Sequence, residues 1–137
     1  MKHRQMHIEK NRDFLEGDIK QIAKRNQFFR QVIYTGPHCQ LVVMSIPPGE
    51  DIGERILMNT DQILVAVQGE GQAMLNGQVQ PAEENSVIFV TAATRHNLKN
   101  TGSKPLKLVT VYAPSEYADG TVQRTKDEAL HRLTKPH

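Results

Sequence analysis

Two periodicities divide the chain. Between Asp13 and Arg25 the apolar residues Phe14, Leu15, Ile19, Ile22 and Ala23 recur at near-helical spacing, which predicts a short helix over 13–25. Gly17 interrupts it, and Asp18 is placed to cap its later part. From Phe28 onward the period shortens to that of strands. Phe28 to Tyr34 and Cys39 to Ile46 are rich in aromatic and β-branched residues, with a Gly36-Pro37 turn between them. Pro47-Pro48-Gly49 ends the second run, because proline cannot donate to a sheet ladder. Gln62 to Val67 is continuously apolar and is closed by Gly69. Ala73 to Leu75 and Gln78 to Gln80 flank Asn76-Gly77, a strong two-residue hairpin signal. Ser86 to Val90 is apolar, and Arg95 to Asn100 and Leu106 to Tyr112 alternate around a T-G-S-K-P loop. Short strands with regularly spaced turns predict an all-β barrel or sandwich. Thr125-Lys126-Asp127-Glu128 is a capping box that opens a C-terminal helix over about 125–133. Both helices are expected to pack outside the barrel or against a partner subunit.

A length of 137 residues fits one domain over 11–137, with the barrel over about 28–113 and a polar, disordered, basic segment at 1–10. The core is aliphatic: there is no tryptophan, with four phenylalanines and three tyrosines. A net charge of +2 gives no reason to expect nucleic acid as a partner. The charge is uneven, with eight basic and four acidic residues in 1–30, which read as a solvated surface. Residues 50–90 hold seven acidic residues and only Arg55 on the basic side, and the acidic stretch 50–54 is expected to form a solvated loop near the barrel mouth. The single cysteine, Cys39, excludes an intrachain disulfide and fits a reducing compartment. It sits in an apolar run with no base placed beside it, so it is not expected to act as a nucleophile. The start, M-K-H-R-Q-M-H-I-E-K, does not resemble a signal peptide, and no run reaches the roughly 18–20 apolar residues of a membrane span. A cytoplasmic protein with no membrane partner is the expectation.

Gly49, Arg55, Leu57, Gln62 and Gly69 fall at the spacing G-x5-H-x-H-x4-E-x6-G, and His96 and Asn100 fall at H-x3-N. These spacings resemble the two signature motifs of the cupin superfamily, over about Tyr34 to Tyr112. The phrase P-P-G-E-D-I-G-E, with the following D-Q and G-E-G, resembles a group of small single-domain cupins. The resemblance implies a double-stranded β-helix, or jelly-roll, barrel. In such a barrel two histidines, a carboxylate and a last histidine converge on a metal. Carried over residue by residue, those four positions are Arg55, Leu57, Gln62 and His96. The frame residues Gly49, Gly69, His96 and Asn100 match, but three of the four ligand positions do not. The second motif is G-x5-P-x-G-x2-H-x3-N, and this chain has Asn85, Thr91 and Ala93 where glycine, proline and glycine are expected.

A catalytic transition-metal site needs about three protein ligands and an open position. Leu57 offers no lone pair, and the Arg55 guanidinium cannot deprotonate and repels a cation. No metal cofactor is therefore expected. The fallback is a divalent transition metal on Gln62 and His96, helped by Asn59, Asp61 or Glu54, although Glu54 and Asp61 fall on the wrong strand parity. Side chains alternate along a strand, so 55 and 57 share a face, as do 62, 64 and 66, and 96 and 98. The sharpest expectation is a metal-free pocket in which Arg55, Gln62 and His96 hold a small polar or anionic ligand. Its walls would be Leu57, Leu64, Ala66 and Leu98. The alternative is that Arg55 bends outward to Glu54 or Asp51 and Leu57 fills the barrel. Two enzyme readings stand beside it: an isomerase- or dioxygenase-like metal enzyme around Gln62 and His96, and a metal-free enzyme using His96 with Tyr34 or Tyr112 as acid and base. A homodimer is expected, with the strands at 28–34 and 106–112 as its interface.

Overall fold

The structure is a computed structural model and describes residues 7–134. Eleven strands and two helices run in the order β1 (Ile8–Lys10), β2 (Leu15–Gly17), α1 (Ile19–Arg25), β3 (Arg30–Thr35), β4 (Gln40–Ile46), β5 (Asp61–Gln68), β6 (Gly71–Leu75), β7 (Gln78–Ala82), β8 (Val87–Val90), β9 (His96–Asn100), β10 (Leu106–Ala113), β11 (Val122–Gln123) and α2 (Lys126–Thr134). A six-stranded sheet in the order β11-β3-β4-β10-β5-β8 faces a three-stranded sheet, β7-β6-β9. This is the expected all-β jelly roll with a short helix at each end.

The inner faces follow from strand parity. Leu108, Thr110 and Tyr112 of β10 stand opposite Ala66, Leu64 and Gln62 of β5, so all six side chains share one face. Val42, Met44, Ile46, Leu64, Ala66, Ala73, Ile88, Val90, Leu98 and Leu108 form the core between the sheets. On the outer face, Ile22 and Ala23 of α1 pack against Val43, Val65, Val67, Val109 and Ile33. The outward residues of β3 and β10 that were expected to form a dimer interface thus partly serve as the seat of α1. Lys107, also on this side, is buried and donates to the Asn26 carbonyl at the end of α1.

Three expectations need correction. The N-terminal segment is ordered from Ile8: β1 pairs with β2, and Lys10 donates to the Ile33 carbonyl at 3.0 Å. Residues 1–6 lie outside the described residues. The helix expected over 13–25 is confined to Ile19–Arg25, because Leu15–Gly17 takes the strand that pairs with β1. Asp18 is its cap, in extended conformation, and its carboxylate accepts from the Gln21 amide at 3.1 Å. Residues 50–54 are not a free loop. The segment 49–57 runs antiparallel to β9, with Ile52 N to Leu98 O at 3.0 Å and reciprocal Arg55–His96 backbone bonds of 2.9 Å. Asp51 pairs with Lys99 but Arg55 with His96, so one extra residue sits between the two bridges. Gly53, with φ of +91°, takes up that bulge.

Thr125 caps the C-terminal helix as expected, while the returning Glu128 carboxylate reaches the amide one residue before the cap. The Glu128 amide donates to Thr125 Oγ1 at 3.0 Å, and the Glu128 carboxylate accepts from the Arg124 amide at 3.0 Å. Among the described residues, no helix is long and apolar enough to cross a membrane.

Candidate functional site

The segment 49–57 carries Arg55 and Leu57 to the side of β9, while β5 carries Gln62 and β9 carries His96. Gln62, Leu64, Ala66, His96 and Leu98 are all buried, and Leu57 is partly buried against the core. Strand parity therefore puts the expected side chains on the inner face.

Gln62 and His96 satisfy each other. His96 Nε2 lies 3.0 Å from the Gln62 side-chain amide, and His96 Nδ1 lies 2.9 Å from the Thr94 carbonyl oxygen. The other end of the Gln62 amide lies 3.1 Å from the Thr110 hydroxyl. A carbonyl oxygen only accepts, so Nδ1 must carry a proton. Burial pushes the His96 pKa down, and the Arg55 cation pushes it further, while the bond to Thr94 opposes them. The ring is therefore neutral at physiological pH, and Nε2 holds a lone pair. As placed, the Gln62 oxygen faces Nε2 and its NH2 donates to Thr110 Oγ1. A neutral ring protonated on Nδ1 requires the amide turned over, NH2 toward Nε2 and oxygen toward Thr110 Oγ1, since amide oxygen and nitrogen are assigned from such networks. The relay Thr110–Gln62–His96–Thr94 uses the two side chains that a metal would need.

The donor chemistry does not fit a metal ion. Of the four positions, Arg55 supplies a fixed cation, Leu57 a hydrocarbon, and Gln62 and His96 a closed hydrogen-bonded pair. Among the described residues no three His, Cys, Asp or Glu side chains gather closely enough to hold a metal. The fallback partners are elsewhere: Glu54 and Asn59 are exposed, and exposed Asp61 accepts from the Ala92 amide at 2.8 Å.

Arg55 does not bend outward to Glu54 or Asp51. Its guanidinium lies 6.0 Å from the Tyr112 ring centroid and lines the same recess as Tyr117. Burial works against its charge, but Tyr112, Tyr117 and Glu116 outweigh burial and raise its pKa. Asp51 is engaged by Asn97 Nδ2 at 3.0 Å and by Lys126. Burial pushes the Asp51 carboxyl up, yet those partners bring its pKa below the ordinary value.

Arg55 faces a cavity of about 170 Å³ between the barrel end and α2, lined also by Phe29, Arg30, Glu116, Tyr117 and Gln123. Gln62, His96, Leu57, Leu64 and Leu98 do not line this cavity. Of the residues expected to bind a ligand, Arg55 alone does. Tyr34 is not near the site either, since its hydroxyl donates to the Asn11 carbonyl at 2.8 Å on the outside. Tyr112 is fully buried on the inner face, and its hydroxyl has no hydrogen-bond partner among the described residues.

Sequence reasoning missed Arg30 and Tyr117. Gln40 holds the Tyr117 backbone: its side chain accepts from the Tyr117 amide at 3.0 Å and donates to the Tyr117 carbonyl at 2.7 Å. Burial, with Tyr112 adding to it, lifts the Tyr117 hydroxyl well above the ordinary range, although Arg30 and Arg55 oppose the rise. Arg30 did leave a signal. It shares a strand face with Val32, as the registers Arg30–Met44 and Val32–Val42 confirm, so a charge was due to point inward from an apolar strand.

These features define a class: a small all-β jelly-roll barrel with a short helix at each end. A family model described as "Cupin domain" matches residues 42–112. The chain belongs to the cupin superfamily. The crystal structure of BH2720 from Bacillus halodurans aligns with a TM-score of 0.82 at 38% identity, covering 82% of this chain and 90% of that one. The uncharacterised protein YrkC of Bacillus subtilis is 42% identical over 120 residues, and the match spans 82% of this chain but 64% of YrkC. Mannose-1-phosphate guanylyltransferase ManC of Salmonella typhimurium is 28% identical over 95 residues, which is 69% of this chain and 20% of that enzyme.

Proposed function

We propose that this chain is a metal-free cupin that binds a small anionic molecule, with Arg55 as the anchor. The observation that carries this reading is the guanidinium of Arg55 at a ligand position of the motif, turned toward a cavity of about 170 Å³. A planar guanidinium grips a carboxylate or phosphate with two parallel hydrogen bonds. The cavity suits a small molecule, since an engineered cavity of about 150 Å³ is enough to hold benzene. The likeness to ManC, whose name concerns a sugar phosphate, puts phosphate monoesters beside carboxylates in the ligand screen.

The same reading favours binding over catalysis. His96 has both ring nitrogens engaged, so general-base work would first have to break its bond to Gln62. We assign the protein to the cytoplasm, where the exposed thiol of Cys39 stays reduced. We further infer a homodimer; the edge strand β8 presents exposed Val87 and Phe89 that a second copy would cover. Multi-angle light scattering at micromolar concentration tests that, and a monomer mass refutes it.

The test of the main reading is a thermal-shift screen of small carboxylates and phosphates on the parent and on Arg55→Met, which keeps the apolar stem. Stabilisation by an anion in the parent and not in Arg55→Met is the expected result. Equal stabilisation of both proteins refutes Arg55 as the anchor. Elemental analysis after dialysis accompanies the screen, and stoichiometric transition metal in the parent refutes the metal-free reading.

A further inference from the structure

Arg30 is the most unusual charge in the molecule. It is 4% exposed, on the inner face of β3, with no acidic partner in an ion pair among the described residues. Its Nη1 donates to Gln123 Oε1 at 2.6 Å, while its Nε is buried with no hydrogen-bond partner. Its guanidinium lies 5.0 Å from the Phe29 ring centroid and 4.8 Å from that of Tyr117. Two aromatic faces recover part of the lost hydration of such a cation. They do not satisfy an N–H, and a buried guanidinium without a counter-ion is costly to keep.

Arg30 and Arg55 line the same cavity. Tyr117 shares this lining, and the Arg30 guanidinium lies over its ring. The acidic residues of that lining, Glu54 and Glu116, are both exposed. Glu116 also accepts from Thr60 Oγ1 at 3.3 Å. Lys126, the third cation of the lining, is already paired with Asp51. The depth of the recess is therefore positive; Glu116, exposed at its rim, acts on the Arg55 charge without forming an ion pair with it. Two guanidinium groups in one recess, neither in an ion pair among the described residues and one with an unpartnered Nε, point to two negative charges, not one.

We propose that the occupant is a small dianion, a dicarboxylate or a phosphate monoester, held by Arg55 and Arg30 together across Tyr117. This rests on the anion-binding reading above and narrows it to one class of ligand. Arg30 contributes specificity: it discriminates a dianion from a monoanion of the same shape.

Isothermal titration with succinate, with succinamate (its near-isostere with one charge) and with inorganic phosphate tests this. The proteins are the parent, Arg30→Gln, Gln123→Glu and Arg55→Met, each checked for folding by circular dichroism. Gln123→Glu places a carboxylate against Arg30 and neutralises it without removing it, so it carries the test if Arg30→Gln does not fold. Charge-assisted hydrogen bonds of this kind give about tenfold or more. Succinate binding about tenfold tighter than succinamate in the parent, with that preference lost in Arg30→Gln or Gln123→Glu, supports the proposal with a dicarboxylate occupant. Phosphate binding with the same dependence, and no succinate binding, supports it with a phosphate occupant. Equal affinity for succinate and succinamate, or a preference unchanged when Arg30 is removed or neutralised, overturns the proposal and leaves Arg55 as a monoanion anchor. Absence of binding by all three probes to the parent overturns both readings.

Discussion

Replacing Gln62 by leucine tests whether the metal position is filled by a polar relay. Gln62 is 1% exposed and holds two partners, His96 at 3.0 Å and Thr110 at 3.1 Å. Leucine has nearly the same volume, so no large cavity results. It strands the His96 Nε2 lone pair and the Thr110 hydroxyl, both in buried residues. Each buried polar group left without a partner costs about 1–3 kcal/mol, which gives about 2–6 kcal/mol for two. The apolar side chain returns about 1–2 kcal/mol of transfer free energy. The midpoints, about 4 and about 1.5 kcal/mol, give an expected net loss of about 2.5 kcal/mol. Urea denaturation at pH 8, where His96 is neutral, measures it by circular dichroism, since the chain has no tryptophan. The double variant Gln62→Leu/His96→Leu should then cost less than the sum of the singles by about 1–2 kcal/mol, because no lone pair is left to strand. Additive costs, or a loss below about 0.5 kcal/mol in the single variant, would refute the relay.

Three further outcomes are expected. The His96 pKa is depressed in the folded state, so the stability contributed by its neutral form is present above the unfolded value of about 6.5 and is lost as pH falls through the lower folded value. Melting temperature should therefore drop on acidification below about pH 6.5 in the parent and drop less in His96→Gln; parallel pH profiles would contradict this. Asn100→Ala should destabilise by about 3–5 kcal/mol in the same denaturation assay, because fully buried Asn100 donates to the Ile46 and Lys104 carbonyls and accepts from the Gly102 amide, each at 2.8 Å. The triple variant Arg55→His, Leu57→His, Gln62→Glu should acquire near-stoichiometric divalent metal by elemental analysis, because with His96 it regains a full donor set; a variant that folds yet stays free of metal would show that the inner face no longer supports that geometry.

The fold was legible because each signal was local. Asn76-Gly77 sits at a hairpin with both residues at positive φ, and Asp18 and Thr125 cap the helices as their types require. The alternating runs gave β3 to β10 to within a few residues. The short strands β1, β2 and β11 were not legible, since two or three residues carry no period and their pairing is set by tertiary contacts. The inner-face positions of Gln62, Leu64 and His96 followed from parity. The recess beside α2 did not, because it joins Arg30, Arg55, Tyr117 and Gln123 from segments separated by up to 93 positions, and no spacing rule links them.

The frame and the chemistry of this fold answer to different physical demands, and this chain separates them. Gly69 holds a φ of +90°, and a Cβ there would lie 2.9 Å from the Pro105 carbonyl oxygen, so its position tolerates nothing larger. Asn100 ties three backbone groups, the Ile46 carbonyl at the end of β4 and the Lys104 carbonyl and Gly102 amide of the loop before β10. Asn85 and Ala93 stand where the motif has glycine, yet they keep the glycine conformation, with φ of 74° and 68°. For alanine that conformation costs about 1–2 kcal/mol, which the surrounding turn must over-determine. The ligand positions carry no such demand, because their side chains end on the inner face and hold no turn. The inner face needs its buried polar groups satisfied, and the Gln62–His96 relay does this for both side chains. Arg55 is the exception: it is too polar to serve as filler and has no ion-pair partner among the described residues. A guanidinium held in that way, beside a second one at Arg30, makes sense as half of an interaction whose other half is a ligand.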